Sequence, residues 1–192
     1  AADNIRIGGF DLNMNKAVLG SEAAGHGVRL NGDDVQAVDL IIRDFGSRQT
    51  AGDGGGTGLL VVGSSGDKAL RPRLFNSCFY PSTVSSTTVG WLWSDVQHGQ
   101  AGFLHVDGSN KGVGFAHELK NDAQYNILTS LVASNSIIGL GYGQETAGVD
   151  GCDFNLAQGV VADATVTAFS VSEGTYNLTA NLIHNATGAP SG

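Results

Sequence analysis

Three ten-residue stretches of this chain can be laid over one another: NILTSLVASN (126–135), NLAQGVVADA (155–164) and NLTANLIHNA (177–186). Each opens on Asn and continues with Ile127, Leu156 or Leu178. Each carries an apolar pair at its sixth and seventh places, Leu131-Val132, Val160-Val161 and Leu182-Ile183. RLFNSCFY fits more loosely, with Leu74 second and Cys78-Phe79 sixth and seventh. A second unit interleaves with the first, a small residue followed by apolar, any, apolar. It occurs as GVRLNG (27–32), GLLVVG (58–63), GWLWSD (90–95), GVGFAH (112–117), GLGYGQ (139–144) and AFSVSE (168–173). These units start 22 to 32 residues apart. Such a period means a solenoid, a propeller or an array, and the alternation within each unit is that of a strand with one buried face.

No apolar stripe of 3.6-residue period runs long enough for helical repeats, and propeller blades need about 40 residues each. The expected fold is therefore all-β, a right-handed parallel β-helix (solenoid) whose coils stack about 4.8 Å apart. The alternative is a β-sandwich or jelly roll, which also has short alternating strands but no reason to repeat the Asn pattern. Val28, Leu30, Leu40, Ile42, Leu74, Phe79, Trp91, Trp93 and Tyr142 should face the core. Asn suits a fixed corner because it tolerates left-handed backbone and its amide can bond along the stack. The sugar-attachment triplets at Asn177 and Asn185 fall inside a repeat unit, so they need no glycan to explain them. The glycine-rich 52–58 and the segment 81–89 read as loops pushed out from corners.

A hydrophobic share of 41% supports a packed core, and residues 1–192 read as one β-helix domain. The chain opens directly on a strand-like AADNIRIGGF, so it is expected to be a segment of a longer spike polypeptide. A net charge of −8 argues against nucleic acid, and no apolar run approaches the ~20 residues of a membrane span. Cys78 and Cys152 are expected as free thiols, with Cys78 pointing inward.

Chemistry could sit just past the strand units. Asp95 follows GWLWS, His117-Glu118 follow GVGFA, Gln144-Glu145 follow GLGYG, and Glu173 closes AFSVSE. Coils in register would align these four carboxylates at one corner, with separations of about 5 to 10 Å, the range used by retaining and inverting glycosidases. Glu118 and Glu145 form the expected acid–base pair, His117 assists proton transfer, and Asp95 and Glu173 flank them. A solvated acidic edge is the other reading of the same row. Tyr80, Phe103 and Tyr125 lie at corners and are candidates to stack on sugar. His98 and His105 are further strand-end histidines. No spaced His/Cys set suggests a metal, and no cofactor fingerprint is present.

NIRIGGFDLNMN, HGVRLNGDDVQAVDLIIRDFG and NLIHN resemble coils of the pectate-lyase-like right-handed β-helix superfamily, most nearly the body of bacteriophage tailspikes. The resemblance implies a homotrimer at a virion or extracellular surface that binds, and in many cases cleaves, bacterial surface polysaccharide. GFAHE (114–118) is similar to a mannuronan epimerase stretch, but Ala116 stands where that motif has Asp-Pro, so the activity does not carry over. Three readings stay open: a polysaccharide-recognising spike, with depolymerase activity as an option; a non-enzymatic structural fibre; and a free lyase or epimerase. Lys111 and Lys120 are the only bases near the acidic row, which tilts against a lyase.

Overall fold

The computed structural model describes residues 4–14, 26–45, 56–63, 68–81, 88–108, 113–143, 151–171 and 176–186. Among these residues the elements are all strands, β1 to β15, with no helix. A seven-stranded sheet runs in the order β1 (Arg6–Asn13), β3 (Gln36–Arg43), β6 (Arg73–Tyr80), β9 (Gln100–Asp107), β11 (Ile127–Ser134), β13 (Leu156–Thr165) and β15 (Leu178–Ala186). A six-stranded sheet holds β2 (Val28–Asn31), β4 (Thr57–Val62), β7 (Val89–Ser94), β10 (Val113–Lys120), β12 (Ser136–Gly143) and β14 (Thr167–Val171), again stacked in chain order. A narrow third side pairs β5 (Ala69–Leu70) with β8 (Val96–Gln97) and continues through the bridges Gln97–Gln124 and Gln124–Asp153. Every strand pairing among the described residues is parallel, so the chain is a β-solenoid and not a sandwich.

The three Asn-led segments stack as expected, with Leu131 opposite Val160 and Val160 opposite Leu182. Strands of the seven-stranded sheet do not alternate simply, however. Gly9, Asp39, Asn76, Phe103, Ser130, Gly159 and Asn181 all have positive φ, between 50° and 70°, in mid-strand. This left-handed residue bends each strand, so the inward places are the second, fifth and seventh, as in Leu128, Leu131 and Ala133. RLFNSCFY consequently stacks one residue away from its expected register: Arg73 lies beside Gln100 and Cys78 beside His105. Ser77, not Cys78, takes the inward place. Its hydroxyl donates to the Phe75 carbonyl at 2.9 Å and accepts from the Leu40 amide at 3.2 Å. Cys78 is half-buried and Cys152 is buried, and both are free thiols.

The six-stranded sheet explains the small residue that opens its unit. A Cβ on Gly90 would stand 2.4 Å from the Ala116 carbonyl oxygen and 2.6 Å from both Val106 methyls. One on Gly58 would meet the Gly90 oxygen at 2.5 Å and the Phe79 ring at 2.8 Å. The backbone here approaches the neighbouring coil and the opposite sheet together. Ala116, rather than Gly112, fills this place in β10, so the unit begins four residues later than the sequence suggested. His117 then stacks on Trp91, Glu118 on Leu92 and Leu119 on Trp93.

Between the sheets runs one continuous core in which Trp91, Trp93, Phe45, Phe79 and Leu104 are essentially inaccessible. Beside it lies an amide ladder. Gly99 N–H donates to Asn126 Oδ1 at 2.7 Å, Asn126 N–H and Nδ2 donate to Asn155 Oδ1, and Asn155 N–H and Nδ2 donate to Asn177 Oδ1. The second amide hydrogens reach the carbonyls of Val96, Ala123 and Cys152. Each Asn closes its corner and ties it to the next coil, which is why the buried amides carry no desolvation deficit. Asn177 is thus committed to the ladder through its amide, while Asn185 is exposed and donates to Asp163 at 2.8 Å.

Candidate functional site

Of the four residues expected to form an acidic row, Asp95 and Glu118 lie among the described residues, and these two do not share one corner. Asp95 and Asn121 are equivalent, each with a left-handed backbone and an amide bonded to the following coil. Glu118 lies within β10, beside Leu92 and Gly141. It is 6% exposed and pairs with Lys120 at 3.9 Å. Leu92 beside it belongs to an apolar cluster with Leu60, Val89 and Phe115. Glu145, Glu173 and Lys111 lie outside the described residues. His117, expected beside the carboxylates, is instead fully buried between the sheets. Trp91 Nε1 donates to its Nδ1 at 2.6 Å, and its Nε2 lies 3.1 Å from the Val132 carbonyl, so Nε2 carries the proton. Burial lowers its pKa to about 3, against the opposing pull of the Val132 bond. It is a neutral core histidine, and a substrate outside the solenoid cannot reach it.

What the structure does bring together is aromatic. At the corner that leads into the seven-stranded sheet, one left-handed residue recurs in every coil: Asn4, Asp34, Arg71, His98, Tyr125, Phe154 and Tyr176, with φ between 54° and 59°. The last four form a ladder of nearly parallel rings. His98–Tyr125, Tyr125–Phe154 and Phe154–Tyr176 have centroids 5.3, 5.2 and 5.0 Å apart and interplanar angles of 10°, 3° and 9°. Tyr125 and Phe154 are each 45% exposed and Tyr176 is 77% exposed. Two residues on, beyond the inward-facing Asn, the coils of Tyr125, Phe154 and Tyr176 each place an aliphatic side chain on the same outer face: Ile127 and Leu178 exposed, Leu156 half-buried. The local sequences Tyr125-Asn126-Ile127, Phe154-Asn155-Leu156 and Tyr176-Asn177-Leu178 therefore build a ladder inside and a two-row apolar strip outside. Tyr125 was expected at such a surface. Phe154 and Tyr176 were not, although the aromatic before each Asn was visible in the sequence.

Energetics set this corner apart. A left-handed backbone costs a non-glycine residue about 1–2 kcal/mol, least for Asn and Asp. An aromatic pair returns about 0.5–1.5 kcal/mol beyond area burial. Three stacks therefore do not clearly offset four left-handed backbones, and the fold itself accepts Asn4 and Asp34 at the same place. Phe103 shows the same preference across the sheet, in left-handed backbone and 65% exposed, where other coils have Asn76, Ser130 or Gly159.

At the far margin of this sheet stands a polar column. Arg43 Nε donates to both Asp11 oxygens at 3.0 and 3.1 Å, and its guanidinium lies 5.3 Å from the Tyr80 ring centroid. Tyr80 meets His105 edge-on at 6.2 Å, and His105 Nε2 lies 3.4 Å from the Ser134 hydroxyl. Partial burial, followed by the neighbouring Cys78, raises the Tyr80 pKa, so the phenol stays protonated at neutral pH. Among the described residues no group of three or more His, Cys, Asp or Glu side chains is arranged to hold a metal. No protein-family model, curated protein or solved structure matches the chain.

Proposed function

We propose that the chain is a polysaccharide-recognising β-solenoid body, of the kind that forms spikes at a virion or extracellular surface, and that the aromatic strip is its contact face. The observation that carries this reading is the exposed ladder His98–Tyr125–Phe154–Tyr176 with its flanking row Ile127–Leu156–Leu178. Exposed apolar surface built from repeated units, at a cost in backbone strain, favours a ligand that is itself repetitive. Inside the ladder the ring faces cover one another, so a ligand meets ring edges, the Tyr125 and Tyr176 hydroxyls and the aliphatic row. A glycan laid along the solenoid axis offers C–H faces and hydroxyls at a similar repeat. The net charge of −8 favours neutral sugars over uronate-rich ones. Burial of Glu118 beside Lys120 supports recognition without cleavage at that position.

Affinity electrophoresis through gels containing dextran, mannan, mixed-linkage β-glucan or alginate tests the reading. A neutral polysaccharide should retard the wild-type chain, and alginate should not. Tyr176→Ala and Leu178→Ala should each weaken retardation about tenfold while leaving the thermal midpoint nearly unchanged. Migration unaffected by every neutral glycan, or retardation that survives both substitutions, would overturn the proposal.

A further inference from the structure

On the narrow side of the solenoid the Lys68 ammonium sits against the Asp122 carboxylate. Ala69 pairs with Val96, and Gln97 bridges to Gln124, so these two residues belong to coils on either side of the one that carries Asp95. The contact therefore reaches across a whole coil. Asp122 is also an extra residue at its corner. Ser94 stacks on Lys120 and Gln97 on Gln124, which leaves two residues between Ser94 and Gln97 but three between Lys120 and Gln124.

The surroundings do not suit a carboxylate. The Asp122 side chain is 14% exposed, and its Oδ1 is buried without a hydrogen-bond partner. The Asp34–Arg71 and Asp11–Arg43 pairs use both carboxylate oxygens and stand in solvent. An ionised oxygen left dry and unbonded costs several times what a neutral carbonyl would in the same place. Ala69, Val96 and Ala123, all fully buried, floor this side of the coil and supply no donor side chain.

We propose that Lys68 and Asp122 are joined by an intramolecular isopeptide bond. The ion pair already holds every atom the reaction needs. Lys68 Nζ bonds to Asp122 Cγ, one Cγ–O bond breaks, and that oxygen leaves as water with two protons from the ammonium. Both charges disappear and no oxidant or co-reactant enters. The product is a neutral amide that clamps three successive coils along one edge.

Intact mass spectrometry of the denatured wild-type chain should read one water below the mass of its sequence. Proteolysis should release a branched peptide that joins the segments around residues 68 and 122. Lys68→Arg keeps the charge but cannot form the amide, and it should restore the full mass, as should Asp122→Ala. A wild-type chain at full mass overturns the proposal. So does a water loss that persists in Lys68→Arg and maps to a cyclised Asp-Gly pair such as Asp107-Gly108.

Discussion

His117 carries the clearest residue-scale consequence. Its imidazole is neutral in the core because burial holds its pKa at about 3, whereas the unfolded chain protonates near 6.5. Below pH 6.5 the unfolded state binds a proton that the folded state refuses, so stability falls as the pH drops from 6.5 towards 3. The loss from this one group reaches roughly 3 kcal/mol by pH 4. His117→Leu removes the titration but strands the Trp91 N–H and the Val132 carbonyl, which costs about 2–4 kcal/mol at pH 7. Urea unfolding of both proteins should therefore show a gap at pH 7 that narrows steadily towards pH 4. A gap of constant size would mean that His117 is solvated or already charged. Proton transfer to a glycan by this residue is not compatible with its place in the core.

At the scale of the strand, the stacking register decides what a substitution costs. Leu131, Val160 and Leu182 occupy one row, but Val160 is fully buried while Leu182, on the last strand of the sheet, is 41% exposed. Val160→Asp should cost 4 kcal/mol or more, about the price of an unpaired charge in an apolar stack, and Leu182→Asp only about 1 kcal/mol. Equal losses in chemical denaturation would contradict the observed stacking. The Asn pattern and the aliphatic row were legible in the sequence because they recur at fixed offsets. Two local features were not. The left-handed residue in mid-strand shifts side-chain parity without any single residue type marking it, since Asp39, Phe103, Ser130 and Gly159 all take that place. This is why Cys78 was expected inward when Ser77 holds that position. Ala116 stands where neighbouring coils have Gly90 and Gly139, so a leading glycine marks Gly112, four residues too early, as the start of the β10 unit. That four-residue slip moved His117 and Glu118 to a corner they do not occupy. The aromatic ladder was half legible. Tyr125 was recognisable as a corner residue, but the stacking of Phe154 and Tyr176 on it needed the coil geometry.

Taken as a whole molecule, the solenoid separates two jobs by face. The space between the sheets and the amide ladder hold the coils together, and the strip outside the ladder adds exposure and strain that stacking does not require. The same three-residue unit serves both, with Asn facing in and the aromatic and aliphatic residues facing out. Methyl-selective NMR of the chain, titrated with the neutral polysaccharide that retards it, tests this division most directly. The methyl resonances of Ile127, Leu156 and Leu178 should shift on binding, while those of buried Leu131 and Val160, and of Leu60 and Leu92 on the opposite sheet, stay in place. Shifts centred on Leu60 and Leu92, or an unchanged spectrum at saturating glycan, would contradict the account.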